Sequence, residues 1–532
     1  MSKLQVKLQK RGGLILAWTI AAAWYIADVL YIWFNGNNLL NSDVAAELIL
    51  AKELNKEGTL LSTNWYYSTE LRVINTQLAY KLGFALFPDH WHAARTVAVA
   101  ILLLVLILVA IYFSKAISYP LAGPILSVVM LAPYSCWYGW NVVFNSYYVP
   151  HIALTFLALT LFLRTLQTKG RRRAVCIVLS VALAFTASLG GVRQPMICYS
   201  PLLLAVVVYL LSGKEKKIDS HVLHILGYAF FLFVAACAGY LVNDKVLSRY
   251  YTFESKSTRV WNDLSLNNVL SCLSDLAALF GWRSDVPIVS LSGIGNILSL
   301  LLIAVLLFCT VKCYRKIQLD ESEKLVLLFS ISAFIVLLAI YGFAYNSYNE
   351  SYWTLFLPYI FIGATLCLKH EDIDWKKYIV TGFCLVTVLI NSLLTYQDPY
   401  ISWVPNDLDI QNAVAWLVEN GYTQGIAGFW DSDIITALSN GQIEMWTVGD
   451  VDEPQINEWL QVKSHNTYPE KGKIFIIRPM SDLTGQDPVI NEYLVGTVDH
   501  LAYQDDNYFI YSFDSAEEYL DTMAEITANI EQ

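Results

Sequence analysis

Long apolar runs separated by short polar stretches fill the first three quarters of the chain, and their length decides what they are. About 20 apolar residues in helical form cross the hydrocarbon core of a bilayer. The first run, residues 14–34, follows a basic segment holding Lys3, Lys7, Lys10 and Arg11. It reaches spanning length and lacks a small-residue cleavage site, so an uncleaved first span is expected rather than a signal peptide. Further runs at 96–114, 121–138, 152–166, 174–190, 197–211, 221–242, 294–311, 325–345, 354–368 and 378–396 bring the expected spans to eleven.

Two connections between spans are too long to be simple turns. Residues 35–95 contain amphipathic stretches at 44–54 (VAAELILAKEL) and 70–82, which predict helices lying along a membrane face. Residues 243–295 mix Arg249, Arg259 and Arg283 with aromatic residues, and loops of this size are ordinarily functional when ordered. After the last span the pattern changes. Helices are expected at 408–419 and 432–438 and near 454–460 and 488–494; strands are expected at 425–430, 443–448, 473–479, 501–503 and 508–513. Such alternation predicts a small α/β domain with an at least partly parallel sheet. Residues 1–396 thus form a polytopic α-helical membrane domain and residues 397–532 a separate α/β domain.

Composition agrees. Of 532 residues 56% are hydrophobic and only 15% charged, against about a quarter charged in soluble chains, which excludes an ordinary soluble enzyme. The net charge of −10 hides a division: residues 397–532 hold 24 Asp and Glu against 4 Lys and Arg, leaving 31 basic and 21 acidic residues upstream. Short cytoplasmic loops collect Lys and Arg. With the N-terminus inside, the alternate loops are basic: Lys115; Lys169 with Arg171, Arg172 and Arg173; Lys214, Lys216 and Lys217; Lys312, Arg315 and Lys316; Lys376 and Lys377. The complementary loops, such as 134–148 and 345–353, are rich in Trp and Tyr. Eleven spans then place the acidic tail outside the cell membrane. None of the nine cysteines lies in the tail and no CxxC pair occurs, so neither a disulfide framework there nor a cysteine metal site is expected. The tail has no Gly-rich phosphate loop, which argues against a nucleotide site.

Ionisable residues beside the bilayer are costly and so are the candidates for chemistry. Asp43 stands just beyond the first span. The local reading makes Ser42 or Asp43 the N-cap of the following helix, with Glu47 in its first turn. The functional reading makes Asp43 a general base on a hydroxyl acceptor. In His90-Trp91-His92-Ala93-Ala94-Arg95, the two histidines lack an i+4 partner for a metal and read with Trp91 as interfacial anchors. Arg95 either snorkels or holds a phosphate through its two-pronged guanidinium. In Gly190-Gly191-Val192-Arg193-Gln194-Pro195 the Gly and Pro residues shape a tight connection, while Arg193 and Gln194 suit an anion or sugar contact. Tyr348, Glu350 and Trp353 in YNSYNESYWTLFLP would face an outer cavity, with an aromatic belt as the alternative for Trp353.

The basic inner end of the first span, Asp43 opening a long outer loop, its surface helices and the Arg of HWHAARTVAVAILLL together resemble the glycosyltransferase type C (GT-C) superfamily, in its aminoarabinose transferase and protein mannosyltransferase branch. GIAGFWDSDIITALSNGQIEMWTVGD resembles the α/β domain that ends some bacterial members. The resemblance implies a GT-C membrane fold and an enzyme that moves a sugar from a polyprenyl-phosphate donor to a glycan or lipid hydroxyl on the outer face, with inversion. It implies Asp43 as base and Arg95 and Arg193 on the donor phosphate, with Glu47, Glu70, Gln194, Tyr348, Glu350 and Trp353 toward the substrates. SYWTLFLP stands where many members have Arg-Tyr and a Pro; Trp353 and Pro358 remain, without the Arg. The resemblance fixes no cofactor, a divalent cation stays open, and no nucleic acid is expected as a partner. Asp43 with Glu47 or Glu70 has the ligand type for a divalent cation, at a spacing that is not diagnostic. Two other classes stay open: a transporter or flippase for lipid-linked glycans, although paired repeats are not seen, and a non-catalytic membrane protein whose acidic tail binds a surface partner.

Overall fold

The computed structural model describes residues 3–69, 71–212, 220–253, 265–290, 293–344, 349–397, 410–449, 454–479 and 500–530, with side chains from Gly12 onward except at 350, 374, 527, 529 and 530. Each of the eleven apolar runs contains a helix. In chain order the helices are α1 (Lys3–Asn35), α2 (Ser42–Glu57), α3 (Gln77–Leu86), α4 (Trp91–Ala116), α5 (Ala122–Leu131), α6 (Cys136–Tyr138), α7 (Val149–Gln167), α8 (Gly170–Ser188) and α9 (Ser200–Leu211). They continue with α10 (Ser220–Lys245), α11 (Leu266–Leu279), α12 (Gly293–Lys316), α13 (Glu321–Phe343), α14 (Leu357–His370), α15 (Asp374–Tyr396), α16 (Ile410–Glu419), α17 (Phe429–Leu438) and α18 (Ala516–Ile530). Among the described residues, eight helices are long and apolar enough to cross a membrane, while 122–131 and 195–211 are shorter apolar helices.

The expected span 121–138 is broken, and the cause is local. Pro133 disfavours helical geometry in the residue before it, and Ala132 accordingly turns extended (φ −75°, ψ 127°). The chain resumes as α6 and a π-helical turn, Gly139–Phe144. Pro150, Pro201 and Pro358 instead sit in the first turns of α7, α9 and α14, where a missing N–H costs nothing. At the opposite end of the bundle, Asp320 and Glu323 form a reciprocal capping box on α13. Buried Glu323 also accepts from Lys369 and from His370 (2.9 Å), and Lys369 donates to the carbonyl of Ile117 (2.8 Å). Part of the basic loop charge is thus spent on tying helix ends together.

The expected amphipathic helix at 70–82 begins only at Gln77, as α3, which packs on α2 and α4. Gly83 makes the α3–α4 contact feasible, because a Cβ there would run into the carbonyl of Ala94. The two long loops and the tail meet in one small sheet. β1 (Trp65–Tyr67) pairs in parallel with β2 (Thr252–Phe253) and antiparallel with β5 (Gln461–Val462).

The tail sheet has the order β4-β3-β6-β8-β7, built from β3 (Gln424–Gly428), β4 (Glu444–Val448), β6 (Ile474–Pro479), β7 (Leu501–Gln504) and β8 (Tyr508–Phe513). β3 runs parallel to β4 and β6, and β8 is antiparallel to β6 and β7, as the alternating pattern leads one to expect. β6 is apolar from Ile474 to Ile477 because it is covered on both sides. Ile474 and Ile476 join Tyr519, Met523 and Ile526 of α18, while Phe475 and Ile477 join Ala413, Leu417 and Ile435 of α16 and α17. The helix expected near 454–460 does not form; the segment crosses back to β4 through a Val448–Ile456 bridge, and its backbone satisfies β4 instead. The helix expected near 488–494 lies outside the described residues.

Candidate active site

Asp43 is free of the capping duty that the sequence offered it. The N-cap is Asn41, whose side chain accepts from the amide of Val44 (3.1 Å) and from the hydroxyl of Tyr147 (2.7 Å). Asp43 follows in the first turn of α2, half-buried, and Glu47 lies one turn on along the same face. Burial pushes the Asp43 carboxyl above its usual range, and the charge of Arg72 pulls part of that back. Glu47 is not a helix-end charge either: it accepts from Asn75 (3.1 Å) and Thr76, and burial raises its pKa against the opposing pull of Arg72. Tyr147 stays protonated, held so first by burial and then by the charge of Asp43.

Arg72 was missed from sequence, as a single cation within a loop carries no pattern. Its place is fixed by main-chain clamps. Buried Asn243 of α10 donates to the carbonyls of Leu71 (2.7 Å) and Leu189, and Gln77 donates to that of Arg72 (2.7 Å). Loop and Gly190 turn are thereby brought side by side. Past that turn, Arg193 lies over the rings of Tyr148 (5.1 Å) and Tyr352 (5.5 Å), and buried Gln194 donates to the carbonyl of His151 (3.1 Å). Arg72 and Arg193 both act electrostatically on His151, so the two guanidinium groups converge on one region. Arg72 Nε and Gln194 Oε1 are buried with no hydrogen-bond partner among the described residues. A buried polar atom without a partner calls for one, such as water or a ligand.

Other expected positions are placed differently. Arg95 neither snorkels nor offers its fork to a phosphate: it is 2% exposed, and its terminal nitrogens donate to the carbonyls of Gly36 and Leu39 (3.3 Å) and to Asn145 Oδ1 (2.8 Å). Arg95 is therefore the clamp that folds the end of α1 toward α2. Trp353 lies neither in an outer cavity nor in a membrane belt; it is fully buried among Phe334, Tyr341 and Phe356. Trp91 is buried as well, edge-on to Phe84 and against Gly441 of the tail, while His92 contacts Asn37 Oδ1 (3.1 Å) and the carbonyl of Trp33 (2.7 Å). Glu70, Tyr348 and the side chain of Glu350 lie outside the described residues. Among the described residues no group of three or more His, Cys, Asp or Glu is arranged to hold a metal ion.

Two further carboxyls escaped the sequence reading. Asp28 sits fully buried within α1, near the hydroxyl of Tyr396 (3.4 Å), and an acid inside an apolar run was signal enough. Asp433 of α17 is buried where the tail meets α2.

No protein-family model matches the sequence, and no curated protein matches it. Solved structures do. ArnT from Cupriavidus metallidurans bound to undecaprenyl phosphate superposes with a TM-score of 0.58 at 12% identity, covering 92% of this chain and 97% of that one. The same ArnT in the apo state gives 0.56 at 13% identity, covering 93% and 98%. The likeness runs the length of both chains and shows the fold: a multi-pass GT-C membrane bundle followed by a strand-containing C-terminal region.

Proposed function

We propose that this GT-C-fold membrane protein is a glycosyltransferase that moves a sugar from a polyprenyl-phosphate-linked donor to a hydroxyl of a cell-surface glycan or lipid on the outer face. The observation that carries the reading is Asp43: a half-buried carboxyl, unspent on capping, beside Arg72 in a loop that adjoins Arg193. Support for the donor class comes from ArnT, which has this fold and was crystallised with undecaprenyl phosphate.

In the proposed reaction the Asp43 carboxylate takes the proton of the acceptor hydroxyl. The acceptor oxygen bonds to the anomeric carbon as the bond from that carbon to the phosphate oxygen breaks, and the electron pair leaves with the phosphate. Attack from the face opposite the leaving group inverts the anomeric centre. Arg72 and Arg193 replace Arg95 as the cations for the departing phosphate, since Arg95 is committed to main-chain carbonyls. Donors aimed at developing charge in a water-poor site are typically worth several kcal/mol. Glu47 and Gln194, from the same region, serve as substrate contacts. The N-terminus is proposed to be cytoplasmic and residues 397–532 extracytoplasmic.

The test is purified protein in lipid nanodiscs supplied with polyprenyl-phosphate sugars and candidate hydroxyl acceptors. Glycosylated acceptor and free polyprenyl phosphate in equal amounts support transfer. In proteoliposomes, movement of the intact donor between leaflets without product would instead identify a transporter.

A further inference from the structure

The C-terminal domain is locked onto the loop that carries Asp43. α17 packs along α2, Asn440 accepts from the amide of Trp91 (3.1 Å), Gln411 donates to Asn38 (2.6 Å), and β5 extends the sheet begun by β1. Asp433 lies in the middle of α17, within that junction. It is 3% exposed, and its Oδ2 is buried with no hydrogen-bond partner among the described residues. A carboxylate so placed would be an uncompensated charge in a poor dielectric, which proteins avoid by keeping the proton.

The surroundings supply no compensation. From α2 the charge that acts on Asp433 is Asp43; Glu47 is turned to Asn75 and Thr76, Lys52 to the carbonyl of Pro88, and Lys56 to Glu53 and toward Glu444. β3 has no ionisable side chain, Glu444 of β4 pairs with His465 (2.8 Å), and Asp431 of α17 meets the hydroxyl of Tyr508 (3.5 Å). Glu419, at the far end of α16, is exposed. Burial first, and then the negative charge of Asp43, hold the Asp433 carboxyl well above the usual aspartate range. Asp43, by contrast, has Arg72 to favour its ionised form.

We propose that Asp433 is a positioning residue for Asp43: the C-terminal domain delivers a neutral carboxyl to the acid that opens α2, and the two groups together carry one negative charge. The consequence is that the tail belongs to the chemical site. With Asp433 neutral, Asp43 remains the stronger acid and the carboxylate of the pair. Ionisation of Asp433 at higher pH would place a second negative charge beside Asp43 and the departing phosphate. The kinetic meaning rests on Asp43 acting as base in the reaction proposed above; the state of the proton does not.

Infrared difference spectra of the full chain in nanodiscs, recorded over a pH series, test it directly. The wild type is expected to show a protonated-carboxyl C=O band at neutral pH that is weaker in Asp433→Asn. In Asp43→Asn the pH at which that band is lost should fall by about one unit or more, the coupling that defines an interacting pair. Asn is close to isosteric with a neutral Asp, and tryptophan emission checks that both variants fold. If the neutral-pH spectrum of Asp433→Asn matches that of the wild type, the inference is overturned. An Asp43→Asn titration with an unmoved midpoint overturns it equally. Where transfer activity is measurable, its fall on the alkaline side should vanish in Asp433→Asn and persist in the wild type; a fall that persists in the variant contradicts the inference, whether or not Asp43 is the base.

Discussion

Arg95 and Arg193 do opposite work, and their surroundings say which is which. Arg95 is buried under carbonyl acceptors, so Arg95→Ala strands the carbonyls of Gly36 and Leu39 and the Asn145 side chain. Each unsatisfied buried group costs roughly 1–3 kcal/mol. Thermal unfolding in detergent should therefore shift down clearly in Arg95→Ala. Arg193 is only partly buried and lies over the rings of Tyr148 and Tyr352. Arg193→Ala should cost less stability than Arg95→Ala and lose transfer. Reversed outcomes would reassign the pair. Asp43 was legible because an acid directly after a first span is rare and dear. The true cap, Asn41, sat two residues earlier and could have been weighed alongside it. The role of Arg95 was not legible, because it depends on which carbonyls the folded end of α1 brings near.

Helices were legible wherever apolar length decided the matter and less so where local chemistry intervened. Pro133 divides the third run, and that proline stood in plain view. α18 was missed although Tyr519, Met523 and Ile526 recur at helical spacing, because its many acids masked the stripe. The 454–460 segment had a helical composition, but a bridge to β4 took its backbone. Between elements, close approach matters most at Gly83 beside Ala94. Gly83→Val should force α3 and α4 apart at about 1–3 kcal/mol, the usual cost of overpacking. Because α4 carries Arg95, the variant should also lose transfer activity; unchanged melting and turnover would show that the contact is slack.

Over the molecule as a whole, the eleven runs, the alternation of basic loops and the acidic tail were readable from composition and charge. How the tail docks was not, since the strands β1, β2 and β5 are two or three residues each and join segments hundreds of positions apart. Docking should depend on pH through Asp433. Its folded pKa is raised, so the stability it contributes is present at low pH and is lost as pH rises through that value. Proteolytic release or early melting of the tail should therefore grow toward alkaline pH in the wild type and much less in Asp433→Asn; equal curves would contradict this. The proposed orientation is checked by Glu525→Cys, at an exposed position of α18 in a tail that has no cysteine of its own. A membrane-impermeant maleimide should label it in intact cells above the wild-type background, and labelling only after lysis would invert the topology.

The proposed chemistry meets its most direct test in the turnover of Asp43→Asn, measured with wild-type protein in the same nanodiscs and with equal melting temperatures as the control for folding. A carboxylate base contributes about 10²- to 10⁴-fold. A loss of sugar transfer of that order, with donor binding retained, is the expected result. Transfer within a few-fold of wild type would remove Asp43 from the reaction and leave the outer loop without its base.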